Sequence, residues 1–229
     1  MRRGFTVPEL LAVIAIIIIL VSMILPLILK ASDSTREVRC AVHLRSLSQA
    51  TINYSIENSQ WMPFTNWLSQ ENGGPPDWQG AGWLYDYPAR TNPGDHRKGQ
   101  LWPYVKEDSI YRCPVDAAPF KTGTTHMITS YLLNGAYSGF GSAPNHIYKR
   151  YQFKPDAIMF WEVDELAGGG SYNDGSSFPS EPVTKRHITG LTVASQDGHT
   201  DWLTYVEFQA LLSDAPGRLW CKPGSANGK

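Results

Sequence analysis

From Leu10 to Leu29 the chain carries no charged side chain, and only Ser22 and Pro26 interrupt its apolar run. As a helix rising 1.5 Å per residue, this stretch is about 30 Å long, the hydrocarbon thickness of a bilayer. Arg2 and Arg3 precede it, which by the positive-inside rule keeps the N-terminus cytoplasmic and exports the remainder, although Lys30, Arg36 and Arg39 follow closely. A secretory signal peptide has a shorter apolar core, about 7–15 residues, and then a small-residue cleavage site. No A-x-A pattern follows Leu29 and no Cys follows closely enough for a lipoprotein; a plain uncleaved anchor fits the span but gives no reason for what precedes it. A carboxylate, Glu9, stands at its mouth.

Past Lys30 the pattern becomes amphipathic. Val38, Ala41, Leu44, Leu47, Thr51 and Tyr54 recur at steps of three and four, while Arg39, His43, Arg45 and Gln49 fall elsewhere. One helix from about Phe5 to Glu57 is predicted, its second half packed on a sheet. His43 reads as a flank residue rather than a ligand. Pro8 falls among the first four residues of that helix, whose N–H groups have no intrahelical partner, so it is nearly neutral there and restricts only Val7. Pro26 removes the bond to the Ser22 carbonyl, and a kink or local melting is expected.

Residues 59–119 are punctuated by Gly and Pro, as in "ENGGPPDWQG" and "ARTNPGDHRKGQ", and read as loop-rich. Beyond them "HMITSYLLN", "IYKRYQF", "DAIMFWEV", "LTVASQ" and "HTDWLTYVEF" are β-prone runs separated by turn chemistry. Asp197-Gly198 between the last two is the kind of dipeptide that makes a tight hairpin. The fold class is therefore α+β, a long N-terminal helix on an antiparallel sheet. The 229 residues hold 42% hydrophobic and 18% charged side chains at a formal net charge of −1, so no basic excess points to nucleic acid.

The run "RRGFTVPELLAVIAII" resembles the class III signal of type IV pilins and type II secretion pseudopilins. The resemblance implies a ladle-shaped fold and a basic leader, residues 1–4, cut between Gly4 and Phe5 by a prepilin peptidase, with N-methylation of the new amine. It implies a filament-core helix over 5–29, a stem helix over 30–57 and an exported domain over 58–229. Glu9 then pairs with the Phe5 amine of a neighbouring subunit; the two positions lie i, i+4 on one helix face, and a carboxylate is favoured in the first turn by the helix dipole. A charge inside a bilayer costs on the order of 2.5–3.5 kcal/mol and needs such a partner. Most relatives carry an aliphatic residue where this chain has Pro8.

The stem "CAVHLRSLSQATINYSIENSQWMP", the segment "GQLWPYVKEDSIYRCPVD" and the H-x9-DG spacing of His187, Asp197 and Gly198 resemble large pilin-like families of Planctomycetes and Verrucomicrobia. This implies a disulfide between Cys40 and Cys113, two buried thiols being the alternative. Cys221 is left odd, either free near a mobile tail or replacing one partner. The implied partners are other pilin or pseudopilin subunits, the prepilin peptidase, an inner-membrane assembly platform and membrane lipid. The implied place is the inner membrane and then a periplasmic or surface filament.

Candidate chemistry beyond assembly is sparse. His187, Asp197 and His199 are metal-compatible types, but the acids Glu162 and Asp164 belong to another strand and must be brought alongside. A structural role for His187, bonded to backbone or carboxylate, is the favoured reading. Asp174 in "GGGSYNDGSS" offers oxygen to calcium without the acidic spacing of an EF-hand; otherwise no cofactor is expected. No nucleophile elbow, phosphate loop or zinc-peptidase helix is present, so an enzyme is not expected. The rival readings are a membrane-tethered module binding glycan or calcium, and a tethered metal-dependent hydrolase using His187 and His199.

Overall fold

A computed structural model describes residues 7–66, 81–86, 92–116, 121–122, 125–141, 148–163 and 175–229, with residues 26–34, 121–122, 125–126 and 141 described by backbone alone. Helix α1 runs from Val7 to Glu57 without interruption. No glycine falls within it, and Pro8 occupies its first turn, where the missing N–H is harmless. The backbone stays helical through Pro26, so the melting anticipated there is not formed. A proline subtracts one bond, and the helical turns on either side keep theirs. The helix ends where Ser59 and Gln60 turn to positive φ, with the Gln60 amide donating to the Ser55 carbonyl at 2.7 Å.

The chain forms two compact units, Met1–Val38 and Arg39–Lys229, and α1 contributes to both. In the first, Val7–Leu25 has a mean hydropathy of 2.8 and is not buried. Every large apolar side chain there is at least 44% exposed. By length and composition this helix can cross a membrane, as can a signal sequence.

In the second unit the elements are α2 (Trp102–Val105), β1 (Lys121–Thr122), β2 (Thr125–His126), β3 (Tyr131–Asn134), β4 (Ile158–Glu162), β5 (Ser176–Ser177), β6 (Gly190–Ser195), β7 (Thr200–Thr204) and α3 (Tyr205–Ser213). Strands β1 and β2 form a small hairpin, and the main sheet has the order β5-β3-β4-β6-β7. Its neighbours are antiparallel except β5, which lies parallel to β3, a departure from the purely antiparallel expectation.

Alternation along the strands sends side chains to two faces. Tyr131, Leu133, Phe160 and Ala194 join Cys40, Leu44, Leu47 and Ala50 of α1 in one cluster. Leu132, Ile158, Trp161, Val163, Leu191 and Val193 join Phe208 of α3 and Leu219 in the other. A register shift between Ile158 and Phe160 lets Met159 and Phe160 both face α1. The stem stripe begins at Cys40, and Val38 is exposed, contrary to the periodicity.

Two β-prone runs behave otherwise. Within "IYKRYQF", Arg150–Gln152 forms a 3-10 turn, closed by the Gln152 side chain accepting from the Lys149 amide at 2.7 Å. In "HTDWLTYVEF" the strand stops at Thr204. Glu207 Oε2 accepts from the Thr204 amide at 2.8 Å and Thr204 Oγ1 from the Glu207 amide at 3.2 Å, a capping box that starts α3.

Candidate functional site

Four chemically active side chains converge on the α1 face of the sheet. Cys40 comes from α1, Cys113 from the turn after the 3-10 segment Asp108–Tyr111, Glu162 from the end of β4 and His187 from the loop entering β6. All four are buried, and one ligand atom from each lies within 4.8 Å of the others.

Local structure fixes each of them. Cys40 opens the buried stripe of α1, one turn before Leu44. The Cys113 amide donates to Ser130 Oγ at 3.1 Å, and Asp116 closes the Cys-Pro turn with its amide on the Cys113 carbonyl at 2.9 Å. Glu162 pairs in register with Tyr131 of β3. The His187 loop is held by the Tyr205 hydroxyl donating to the His187 carbonyl, and by Arg186 donating to the Val163 carbonyl at 2.6 Å. The edge of the His187 ring meets Trp202 at 5.4 Å between centroids.

The two sulfurs stand 2.8 Å apart as unlinked thiols. The pair expected to meet is brought together, without the covalent bond. His187 Nε2 lies 3.5 Å from each sulfur and 3.3 Å from Glu162 Oε1. Glu162 is fully buried, and its Oε2 has no hydrogen-bond partner among the described residues. The bond from Cys40 holds the Cys113 thiol down to about 6 against burial, with His187 assisting. Cys40 is pushed up by its bond to Cys113 and then by burial. Burial opposes charge on His187, yet bonds to Cys113 and Glu162 outweigh it and raise the ring to about 10.

The hairpin half of the signature is separate. Gly198 has φ of 90°, and the Ser195 amide donates to the His199 carbonyl at 2.9 Å. The His199 ring pairs with Asp197 through Nδ1 and lies 3.2 Å from Asp201 through Nε2, and Arg218 binds Asp201 at 2.6 Å. His187 and His199 therefore serve different clusters, and the hydrolase arrangement is not assembled among the described residues. His43 is half-buried, its Nδ1 2.9 Å from the Arg112 carbonyl, as expected of a flank residue. Cys221 lies in a packed segment, 3.7 Å from Asn134 Nδ2, between buried Trp220 and the core, rather than near a mobile tail.

Glu9 sits in the first turn of α1. Gly4, Phe5, Asp164 and Asp174 lie outside the described residues. Among the described residues much of the aromatic wealth is core: Trp83, Trp161, Tyr85, Tyr111, Tyr131 and Tyr137 are fully buried. Glu162, an acid that had to be brought alongside from another strand, does lie beside His187, whereas its place next to the two cysteines is not given by pattern reading. Its signal was a lone acid inside the apolar run "AIMFWEV". No family model, curated protein or solved structure matches this chain.

Proposed function

We propose that the chain is a structural subunit of a type IV pilus-like or type II secretion pseudopilus filament, trimmed before Phe5 and assembled through α1. The observation that carries this reading is the exposed apolar surface of Val7–Leu25, with Glu9 in the first turn of the same helix. Burying one such aliphatic side chain is worth about 1.5–3 kcal/mol, so this surface demands lipid before assembly and neighbouring helices after it. Glu9, near the entrance of that surface, supplies the charge that selects a neighbour's amine and sets register. The ladle arrangement, the export of the second unit and the inner-membrane origin belong to the same proposal, as does the absence of catalysis.

The test is Glu9→Ala in a host that assembles the filament. Loss of the chain from sheared filaments, with normal amounts retained in the membrane, is the expected result. Incorporation equal to the unaltered chain overturns the reading.

A further inference from the structure

We propose that Cys40, Cys113, His187 and Glu162 form a closed four-ligand site for a structural zinc ion. The donor set is two thiols, an imidazole and a carboxylate, the types that bind zinc in four-coordinate sites. Four protein ligands leave no open position, which is the pattern of a structural rather than a catalytic site.

Three of the separations already fit such an ion. Bonds of about 2.3 Å from sulfur and about 2.0–2.2 Å from nitrogen and oxygen, set tetrahedrally, place nitrogen and sulfur roughly 3.5 Å apart and nitrogen and oxygen roughly 3.3 Å apart. The His187 nitrogen stands 3.5 Å from both sulfurs and 3.3 Å from the Glu162 oxygen. The sulfurs, at 2.8 Å, open by about 1 Å to reach the roughly 3.8 Å that two zinc-bound thiolates keep. A disulfide accounts for the two sulfurs alone. It leaves unexplained why a histidine nitrogen sits equidistant from them, and why a fully buried carboxylate brings an oxygen to 3.3 Å from that same nitrogen. A divalent cation answers both. On binding, whatever protons Cys40, Cys113 and the His187 ring nitrogen hold pass to water as the two sulfurs and the nitrogen take the metal. An open cleft of about 520 Å³, with Arg39, His43, Arg112, Pro114 and Asp116 in its lining, borders the Cys113 turn.

The ion would tie four places distant in sequence: the stem, the Cys-Pro turn, β4 and the loop before β6. The inference is independent of filament assembly, which Glu9→Ala scores separately.

The experiment uses the full chain, purified in detergent from membranes of an exporting host without chelator, for elemental analysis, thiol counting and mass mapping of unreduced peptides. About one zinc per chain is expected, with Cys40 and Cys113 alkylated only after chelation. Glu162→Gln should weaken zinc retention in a chelator competition by about 10–100-fold, and Cys113→Ser should abolish it. Should either variant fail to fold, cobalt exchanged into the unaltered chain gives the deciding readout, an intense near-ultraviolet thiolate-to-cobalt band. Less than half an equivalent of zinc, a Cys40–Cys113 disulfide in most of the isolated chain, or cobalt uptake without the thiolate band overturns the proposal.

Discussion

Glu162 Oε1 stands 3.3 Å from His187 Nε2 across 25 residues of chain, with both side chains buried. Removing one member of such a pair strands the other in a low-dielectric interior, at a cost of about 3–5 kcal/mol. His187→Ala should therefore lower the stability of the full chain in detergent by about that amount, read from the denaturant midpoint of tryptophan fluorescence. A loss under about 1 kcal/mol would show that the contact contributes little.

Processing gives the second prediction. Mass spectrometry of the chain from its native host should find a terminus at Phe5 carrying one added methyl group. A chain that retains Met1 in every preparation contradicts the filament reading at its first step.

The capping box of α3 gives the third. Thr204→Ala deletes the oxygen that accepts from the Glu207 amide, and such losses cost about 0.5–2 kcal/mol. Thr204→Ser, which keeps the hydroxyl, should recover most of it. Equal destabilisation by both substitutions would assign the loss to the methyl group instead.

Gly198 supplies the fourth. Its φ of 90° lies in the region glycine tolerates best, and a Cβ there meets Ile52 Cδ1 at 3.4 Å. Gly198→Ala should cost about 1–2 kcal/mol, and Gly198→Asn less. A fully neutral alanine would mean the hairpin relaxes to another turn.

Acid provides the fifth. Arg97 and then His96 hold the Asp108 carboxyl well below the usual carboxylate range. A depressed carboxylate stabilises the fold above its unfolded value, about 3.9, and that share fades as pH falls toward the folded value. Asp108 is 45% exposed on its side chain, so solvent screens the effect. Asp108→Asn should lower the melting midpoint by about 1–3 °C at pH 6, and the gap to the unaltered chain should shrink below about pH 4. A gap that stays constant across that range excludes the charge as its source.

Much of the fold was legible because its signals were periodic. The three-and-four spacing through Leu44, Leu47 and Thr51 named the buried stripe, and Asp197-Gly198 marked its hairpin correctly. The strand β5 was not legible, since Ser176 and Ser177 carry no alternation and pair with β3 only through a long-range, parallel register. The start of α3 was written in the sequence as Thr204 and Glu207, yet the β-branched and aromatic residues around it imitate a strand. In the buried cluster Cys40 and Cys113 could be nominated as a pair, and His187 and Glu162 each as a candidate on its own element. Glu162 joins them only because the β4 pairing turns it toward α1, and the chain order of its neighbours does not encode that.

Within the unit Arg39–Lys229, early and late segments of the chain meet in one folded body. Asn134 Nδ2 donates to the Leu219 carbonyl at 2.9 Å, and the Ile158 amide donates to the Arg218 carbonyl at 2.8 Å, so the centre of the sheet is closed by residues made some 60 to 85 positions later. Leu44, made early, and Leu219, made late, pack on opposite faces of the same strands. A nascent chain emerging N-terminus first therefore holds an unfinished sheet until the segment through Leu219 has been made.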